Sequence, residues 1–282
     1  MDLNVIIEQD RVRDSIGVVR SKLQRCLKLG YKAIALSVHI EGNQVGNIPN
    51  PLQLTPESLK FFDATKMEIH SRLTVAVDEG LQLHKLGQSP IAKKYDLLAL
   101  QPMNDKVFNQ ILTGNLDCDI ITFDFSERSP LSFRKAKFSV PKERDIVMEI
   151  NYAQALQSSS SRHNVFAYGQ NLVRKTRGKS ILLSSGARNA MALRAPNSVT
   201  SLGLLFELPE NLSRDSVYLN CLKALRHSRV RKEPALSAVS CEPLKENEKW
   251  VRKELLAAGD EKSSSQDMAC SSPKRIKMDS VG

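Results

Sequence analysis

The stretches AIALSVH (Ala33–His39), RLTVAVD (Arg72–Asp78) and DIITFDF (Asp119–Phe125) are short apolar runs that are rich in β-branched residues. Their apolar residues are nearly continuous rather than alternating, which is typical of parallel strands covered on both faces. Four further runs share the pattern: Leu3–Ile7, Asp96–Gln101, Ile146–Asn151 and Ser180–Ser185. An eighth run, Leu202–Leu208, fits a strand or the continuation of a helix.

Segments with helical periodicity lie between these runs. The predicted helices are Ser15–Leu29, Asn104–Thr113, Ser159–Arg177 and Arg214–Ser228. Strands that alternate with helices seven or eight times indicate a parallel α/β fold, and closure into a barrel is natural at that number. We therefore predict a TIM-like α/β barrel of seven or eight parallel strands.

The composition changes towards the C-terminus, which divides the chain into two parts. We predict an α/β barrel domain at residues 1–235 and a flexible, disordered tail at residues 236–282, because serine and charged residues replace the apolar pattern there. Lys274, Arg275 and Lys277 form a compact basic cluster directly after Pro273. Such a cluster is typical of a nuclear localisation signal.

The overall composition excludes several classes of protein. The longest apolar stretches are far shorter than the roughly 18 residues that a membrane-spanning helix needs, so we expect no membrane association. The N-terminal residues lack the apolar core of a signal peptide. The five cysteines include no CxxC pair, which favours a reducing compartment and argues against a zinc finger.

The positive charge is concentrated in one part of the chain. The 282 residues carry 41 Lys and Arg against 31 Asp and Glu, a net charge of +10. Residues 128–232 hold 19 basic and 6 acidic residues, whereas residues 1–127 hold 14 basic and 16 acidic residues. This asymmetry indicates a polyanionic partner. The alternative is a solvated basic surface that only favours solubility.

Clusters of lysine and arginine supply the candidate RNA-binding residues. They fall in a loop before the sixth strand, at the end of a helix, after the seventh strand and at the end of the last helix. The candidates are Arg134, Lys135, Lys137, Lys142, Arg144, Arg174, Lys175, Arg177, Lys179, Arg188, Arg194, Arg226, Arg229, Arg231 and Lys232. Because the chain has no RNP, KH or zinc-knuckle motif, we expect recognition of the backbone and shape of folded RNA.

A search for a catalytic site finds few suitable residues. Barrel enzymes carry their chemistry at the C-terminal ends of the strands, where this chain places His39, Asp78 and Asp124. We expect these three side chains to face one shallow cavity as a vestigial site, because three ligands are too few for a two-metal centre. No phosphate-binding loop, HExxH or GxSxG motif occurs. We therefore predict no catalytic residue, no metal and no cofactor.

Several of these runs together resemble a known family, the thirty-kilodalton protein subunits of ribonuclease P and ribonuclease MRP. The resemblance covers roughly residues 1–235, and its specific part is residues 184–225. The residues that carry it are Asp2-Leu3, Arg72-Leu73-Thr74, Ser184-Ser185-Gly186-Ala187, Leu193-Arg194-Ala195-Pro196, Val199, Leu202–Leu208, Asn220-Cys221 and Ala224-Leu225.

The resemblance implies a barrel and a role in tRNA processing. Ribonuclease P is a ribonucleoprotein that removes the 5′ leader from precursor tRNA, and its RNA subunit carries the catalysis. The resemblance thus implies a non-catalytic RNA-binding and scaffolding subunit that contacts ribonuclease P/MRP RNA, precursor tRNA and other protein subunits. It further implies a location in the nucleus, and within it the nucleolus.

Two other functions remain open from the sequence. The family is similar to the polymerase-and-histidinol-phosphatase metallohydrolases, so a metal-dependent phosphoesterase is the first alternative. Those enzymes place a His-x-His pair on the first strand, whereas this chain reads Asp2-Leu3-Asn4-Val5-Ile6. A protein-interaction scaffold whose basic surface never touches RNA is the second alternative.

Overall fold

The computed structural model describes residues 1–7, 14–52, 67–114, 116–128, 131, 133, 138 and 144–232. Seven parallel strands form one sheet in the order β1 to β7, and each strand pairs with the next one along the chain. The strands are β1 (Asp2–Ile7), β2 (Ala33–Glu41), β3 (Glu68–Val77), β4 (Leu97–Pro102), β5 (Ile120–Thr122), β6 (Val147–Asn151) and β7 (Ile181–Ser184). The predicted TIM-like α/β barrel is confirmed, and each of the seven apolar runs overlaps a strand.

The helices of the described residues connect successive strands and follow the last one. They are α1 (Asp14–Lys28), α2 (Gly80–Gln88), α3 (Asp105–Thr113), α4 (Ser159–Thr176), α5 (Pro196–Leu205), α6 (Glu210–Val217) and α7 (Leu219–Lys232). Side-chain caps fix the starts of two of them, since Asn104 accepts a hydrogen bond from Val107 N and Ser158 accepts one from Ser161 N. No helix among these residues is both long enough and apolar enough to cross a membrane.

Strands β1 and β7 meet at a seam, and the described residues place no eighth strand between them. Ile6 N donates to Ala187 O over 3.1 Å, and Val5 and Ala187 form a single parallel bridge. Side chains complete this seam: Asp2 Oδ1 accepts from Ser185 N at 3.1 Å, and Ser185 Oγ donates to Asn4 O at 3.0 Å. Seven strands therefore form a nearly closed ring.

Two predicted elements in the last part of the barrel domain, after β7, need comparison with the structure. The eighth run, Leu202–Leu208, contributes to α5 rather than to a strand, which is the helical alternative that its pattern left open. Pro196 at the first turn of α5 suits a helix start, and β1 already contacts the segment after β7 at the seam. The single helix predicted at Arg214–Ser228 is wrong, because the structure has α6 and α7 there, separated at Tyr218.

An aromatic cluster fills the space beside β5 and α3. Phe108, Phe123, Phe125, Phe133 and Phe138 are all buried, with ring centroids 5.4–6.4 Å apart in edge-to-face, tilted and stacked pairs. In the sequence, Phe133 and Phe138 flank Arg134, Lys135 and Lys137, which are predicted to bind RNA. These two aromatic rings therefore serve the core and not base stacking.

Some predictions fall on residues that the structure does not describe. The tail at 236–282, with Lys274, Arg275 and Lys277, lies outside the described residues, as do the candidate RNA-binding residues Arg134, Lys135, Lys137 and Lys142. The boundary between the barrel and the tail stays a prediction.

Candidate functional site

A cavity of about 1130 Å³ opens at the C-terminal ends of the strands. Its wall combines aliphatic side chains with side-chain amides and a few charged groups. The polar residues that line it are His39, Glu41, Gln44, Asn47, Gln101, Asp124, Ser126, Asn151, Gln154, Gln157 and Arg188. Amides can donate and accept hydrogen bonds, but they are not the ligands that catalytic metals favour.

The three vestigial candidates do not all face this cavity. His39 and Asp124 line it, as predicted. Asp78 does not, and the prediction is wrong for this residue. Gln82 forms hydrogen bonds with both the side chain and the backbone of Asp78: Gln82 Nε2 donates to Asp78 Oδ1, and Gln82 Oε1 accepts from Asp78 N. Among the described residues, no group of three or more His, Cys, Asp or Glu could hold a metal ion.

His39 is exposed at the lining of the cavity. Partial loss of hydration beside the barrel wall, followed by the positive charges of Arg72 and Arg188, lowers the pKa of His39 to about 4. The ring is therefore neutral near pH 7. It can exchange hydrogen bonds with a ligand, but it carries no charge to attract one.

Below the mouth, a buried ion pair crosses the barrel interior. Arg72 on β3 donates from Nη1 and Nη2 to the two carboxylate oxygens of Glu149 on β6, each over 2.6 Å. Both side chains are fully buried. Burial alone would raise the pKa of Glu149, but the charge and hydrogen bonds of Arg72 lower it, so the carboxylate stays ionised.

Neutral polar groups complete the coordination of this pair. Asn4 Nδ2 donates to Glu149 Oε2 at 3.2 Å, and Ser184 Oγ donates to Glu149 Oε1 at 2.7 Å. Arg72 Nε donates to Thr74 Oγ1 at 3.0 Å, and Nη1 donates to Leu3 O at 2.8 Å. Strands β1, β3, β6 and β7 thus share one polar network. Sequence reasoning missed it, because Arg72 and Glu149 lie 77 positions apart inside apolar runs.

Several predicted RNA-binding residues bind other parts of the barrel. Arg144 caps the end of α3 by donating to the carbonyl oxygens of Ile111, Leu112, Gly114 and Leu116 over 3.0–3.3 Å. The exposed Arg174 forms a two-pronged ion pair with Glu207.

The C-terminal half of α7 is anchored at the N-terminal ends of β4 and β5. Arg231 Nη2 lies 2.9 Å from Asp119 Oδ2, and Lys232 Nζ lies 2.7 Å from Asp96 Oδ1. His227 Nδ1 lies 2.7 Å from Asp119 Oδ1. We call His227, Arg231 and Lys232 with their carboxylate partners the α7 anchor. These cations have a structural task, although an additional contact with RNA remains a prediction.

Burial alone would lower the pKa of His227, but hydrogen bonds to Asp117 and Asp119 outweigh this effect. The pKa of His227 is therefore raised to about 9. The ring is protonated near pH 7 and contributes a positive charge to the α7 anchor.

The other candidate cations are divided between the two ends of the barrel. Arg188 and Arg194 follow β7 at the C-terminal end, where Arg194 Nη1 donates to Met191 O and Leu193 O. Arg226 and Arg229 are exposed on α7. Lys175, Arg177 and Lys179 lie where α4 ends before β7, at the N-terminal end. The assignment of these residues to RNA stays a prediction.

Comparison with known proteins shows where the chain belongs. Residues 1–233 match the family model described as RNase P subunit p30. A probable ribonuclease P protein subunit 3 of Schizosaccharomyces pombe is 32% identical over 235 residues, which cover 83% of this chain and 95% of the relative. The ribonuclease P/MRP protein subunit RPP1 of Saccharomyces cerevisiae is 27% identical over 222 residues, which cover 75% of this chain and 74% of the relative.

A solved structure shares the fold. A chain in the cryo-EM structure of archaeal ribonuclease P with mature tRNA superposes with a TM-score of 0.60 at 11% identity. The match covers 86% of this chain and 98% of that one. The barrel, the matched 233 residues and the fungal relative at 32% identity lead to one assignment: this chain belongs to the RNase P subunit p30 family.

Proposed function

We propose that the chain is a non-catalytic RNA-binding and scaffolding subunit of ribonuclease P and ribonuclease MRP, which supports removal of 5′ leaders from precursor tRNA. The family match over residues 1–233 carries this proposal. It is supported by relatives named as ribonuclease P and ribonuclease P/MRP subunits, and by the excess of 13 positive charges in residues 128–232. The partners are ribonuclease P/MRP RNA, precursor tRNA within the complex and other protein subunits.

The interior of the barrel supports a non-catalytic role. The Arg72–Glu149 pair and its neutral partners use their hydrogen-bonding groups on one another, below a mouth whose polar side chains are mostly amides. His39 and Asp124 are the two ligand-type side chains from the vestigial set that share the cavity. The phosphoesterase alternative depends on these two residues and on the carboxylate of Glu41, which lines the same cavity.

Alanine at His39 tests the proposed function against the phosphoesterase alternative. We expect His39→Ala to change precursor-tRNA cleavage by the reconstituted complex by less than about threefold, because a neutral ring at the mouth offers no charge to RNA. Cleavage rates and the metal content of the purified chain are the measurements. Asp124→Ala is the matched second variant. A loss of cleavage by two orders of magnitude in either variant, with normal assembly, would favour the phosphoesterase.

Homology to ribonuclease P/MRP subunits indicates a nuclear ribonucleoprotein, and we place the protein in the nucleolus within this proposal. The basic cluster of Lys274, Arg275 and Lys277 is the proposed import signal. Deletion of Ser263–Gly282 should move the protein into the cytoplasm while its assembly in cell extracts is preserved. Fluorescence microscopy of the deleted chain measures this effect, and substitution of the three basic residues by alanine is the control. Full nuclear accumulation of both variants would refute the signal.

A further inference from the structure

Among the described residues, the N-terminal end of the barrel has a larger excess of positive charge than the C-terminal end. Helices that connect parallel strands run back towards the strand starts, so residues at helix ends and before strands share the N-terminal end. Eight exposed or half-exposed cations of the described residues lie at this end: Lys28, Lys32, Lys93, Lys94, Lys175, Arg177, Lys179 and Arg226. We call these eight residues the N-terminal rim.

The cations of the N-terminal rim are available to a ligand. Within the part of the chain that the structure describes, none of the eight side chains forms an ion pair. The acidic residues Asp96, Asp117 and Asp119 at the same end already bind Lys232, Arg144, His227 and Arg231. Their charge is thus compensated inside the fold. The other acidic residues at the described strand starts are Asp2, which is buried, and Glu68 and Asp145.

The C-terminal end carries charges of both signs, since the cations Lys106, Arg128, Arg188 and Arg194 lie there beside several carboxylates. Its acidic residues follow β2, β3, β4 and β5, and most of them are exposed: Glu41, Asp78, Glu79, Asp105, Asp124 and Glu127. A polyanion that approached this end would meet these carboxylates together with the cations, so attraction there would be partly offset by repulsion. Electrostatic contacts with phosphates dominate affinity for RNA, so the difference between the ends orients the molecule.

We infer that structured RNA binds the N-terminal end of the barrel through its phosphate backbone, with the N-terminal rim and α7 as the contact surface. This inference rests on the proposed RNA-binding function and adds the location. It brings in Lys28, Lys32, Lys93 and Lys94, which belong to a segment of the chain with net negative charge. It assigns RNA to the end opposite to the one that carries catalysis in barrel enzymes.

Charge reversal at the two ends provides the test. Lys93→Glu/Lys94→Glu changes two exposed rim residues, and Lys106→Glu/Arg128→Glu makes the same change in charge at two exposed residues of the C-terminal end. Binding of the full-length chain to a transcript of the RNA that co-purifies with it is measured at several salt concentrations. A thermal unfolding curve of each variant checks the fold. A third variant, Lys179→Glu/Arg226→Glu, probes a different part of the rim.

The two rim variants should bind about tenfold more weakly and reduce the slope of log affinity against log salt by roughly two, because each lost phosphate contact removes about one unit. The C-terminal variant should keep wild-type affinity. Weaker binding in the C-terminal variant alone, or equal losses at both ends, would overturn the location while leaving RNA binding intact. Rim variants that bind RNA normally but lose a partner subunit would assign the rim to an acidic protein. A wild-type chain that binds no RNA would refute the proposed function itself.

Discussion

Replacing Arg72 by methionine should lower the free energy of unfolding by about 3–5 kcal/mol, the usual effect of removing one partner from a buried ion pair. Glu149 would be left fully buried without its counterion, so burial would raise its pKa and favour the protonated form, with only the neutral donors Asn4 and Ser184 beside it. Neither neutral donor replaces the charge of the guanidinium. Urea unfolding followed by circular dichroism measures the loss.

The double variant Arg72→Met/Glu149→Leu controls for the change in shape. Because two apolar side chains of similar size need no compensating charge, the double variant should recover at least half of the lost stability. Glu149→Gln alone keeps the shape and should be as unstable as Arg72→Met. If both single variants unfold at the wild-type urea concentration, the ion pair does not contribute to the free energy of unfolding.

Raising the pH from about 6.5 to 9.5 should weaken the barrel through His227. The pKa of this ring rises on folding from 6.5 to about 9. A raised pKa means that the stabilising contribution is fully present below pH 6.5 and is lost as the pH rises through 9. A shift of this size corresponds to about 2–4 kcal/mol.

Urea unfolding at pH 6.5 and 9.5 measures this contribution, and His227→Gln supplies the reference. Other groups titrate in the same interval, so the informative quantity is the difference between the wild-type and variant pH dependences. The variant should be less stable than the wild type at pH 6.5 and similar to it at pH 9.5. Parallel pH dependences for the two proteins would show that the α7 anchor does not depend on the imidazolium.

The strands were predictable because burial on both faces leaves a local signature. A run such as Ala33–His39 needs no knowledge of its partner, since its own continuous apolar residues report the covering layers. The start of α4 was predictable for a similar reason, because Ser158 caps the helix within three residues of its own position. The family resemblance was likewise carried by local runs.

The interior and the charged surface were not predictable, because both depend on residues that are distant in sequence. Arg72 read as an ordinary strand residue, and only the closed barrel brings Glu149 within 2.6 Å of it. Along the sequence, the excess of positive charge begins at residue 128. In the fold, charged residues from before and after residue 128 lie together at each end of the barrel. Lys93 and Lys94 lie in the segment with net negative charge and were therefore not among the predicted RNA-binding residues. Lys232 was predicted to bind RNA, although it binds Asp96.

The ion pair that crosses the barrel also restricts how the chain can change over generations. A substitution at Arg72 or Glu149 alone passes through a protein that has lost a substantial part of a typical domain's stability of roughly 5–15 kcal/mol. A substitution of the second residue of the pair therefore has to follow soon after the first, before the destabilised protein is lost. These two positions form a single heritable unit, and in descendants of this chain they should be kept together or be replaced together, whatever happens to the loops around the mouth.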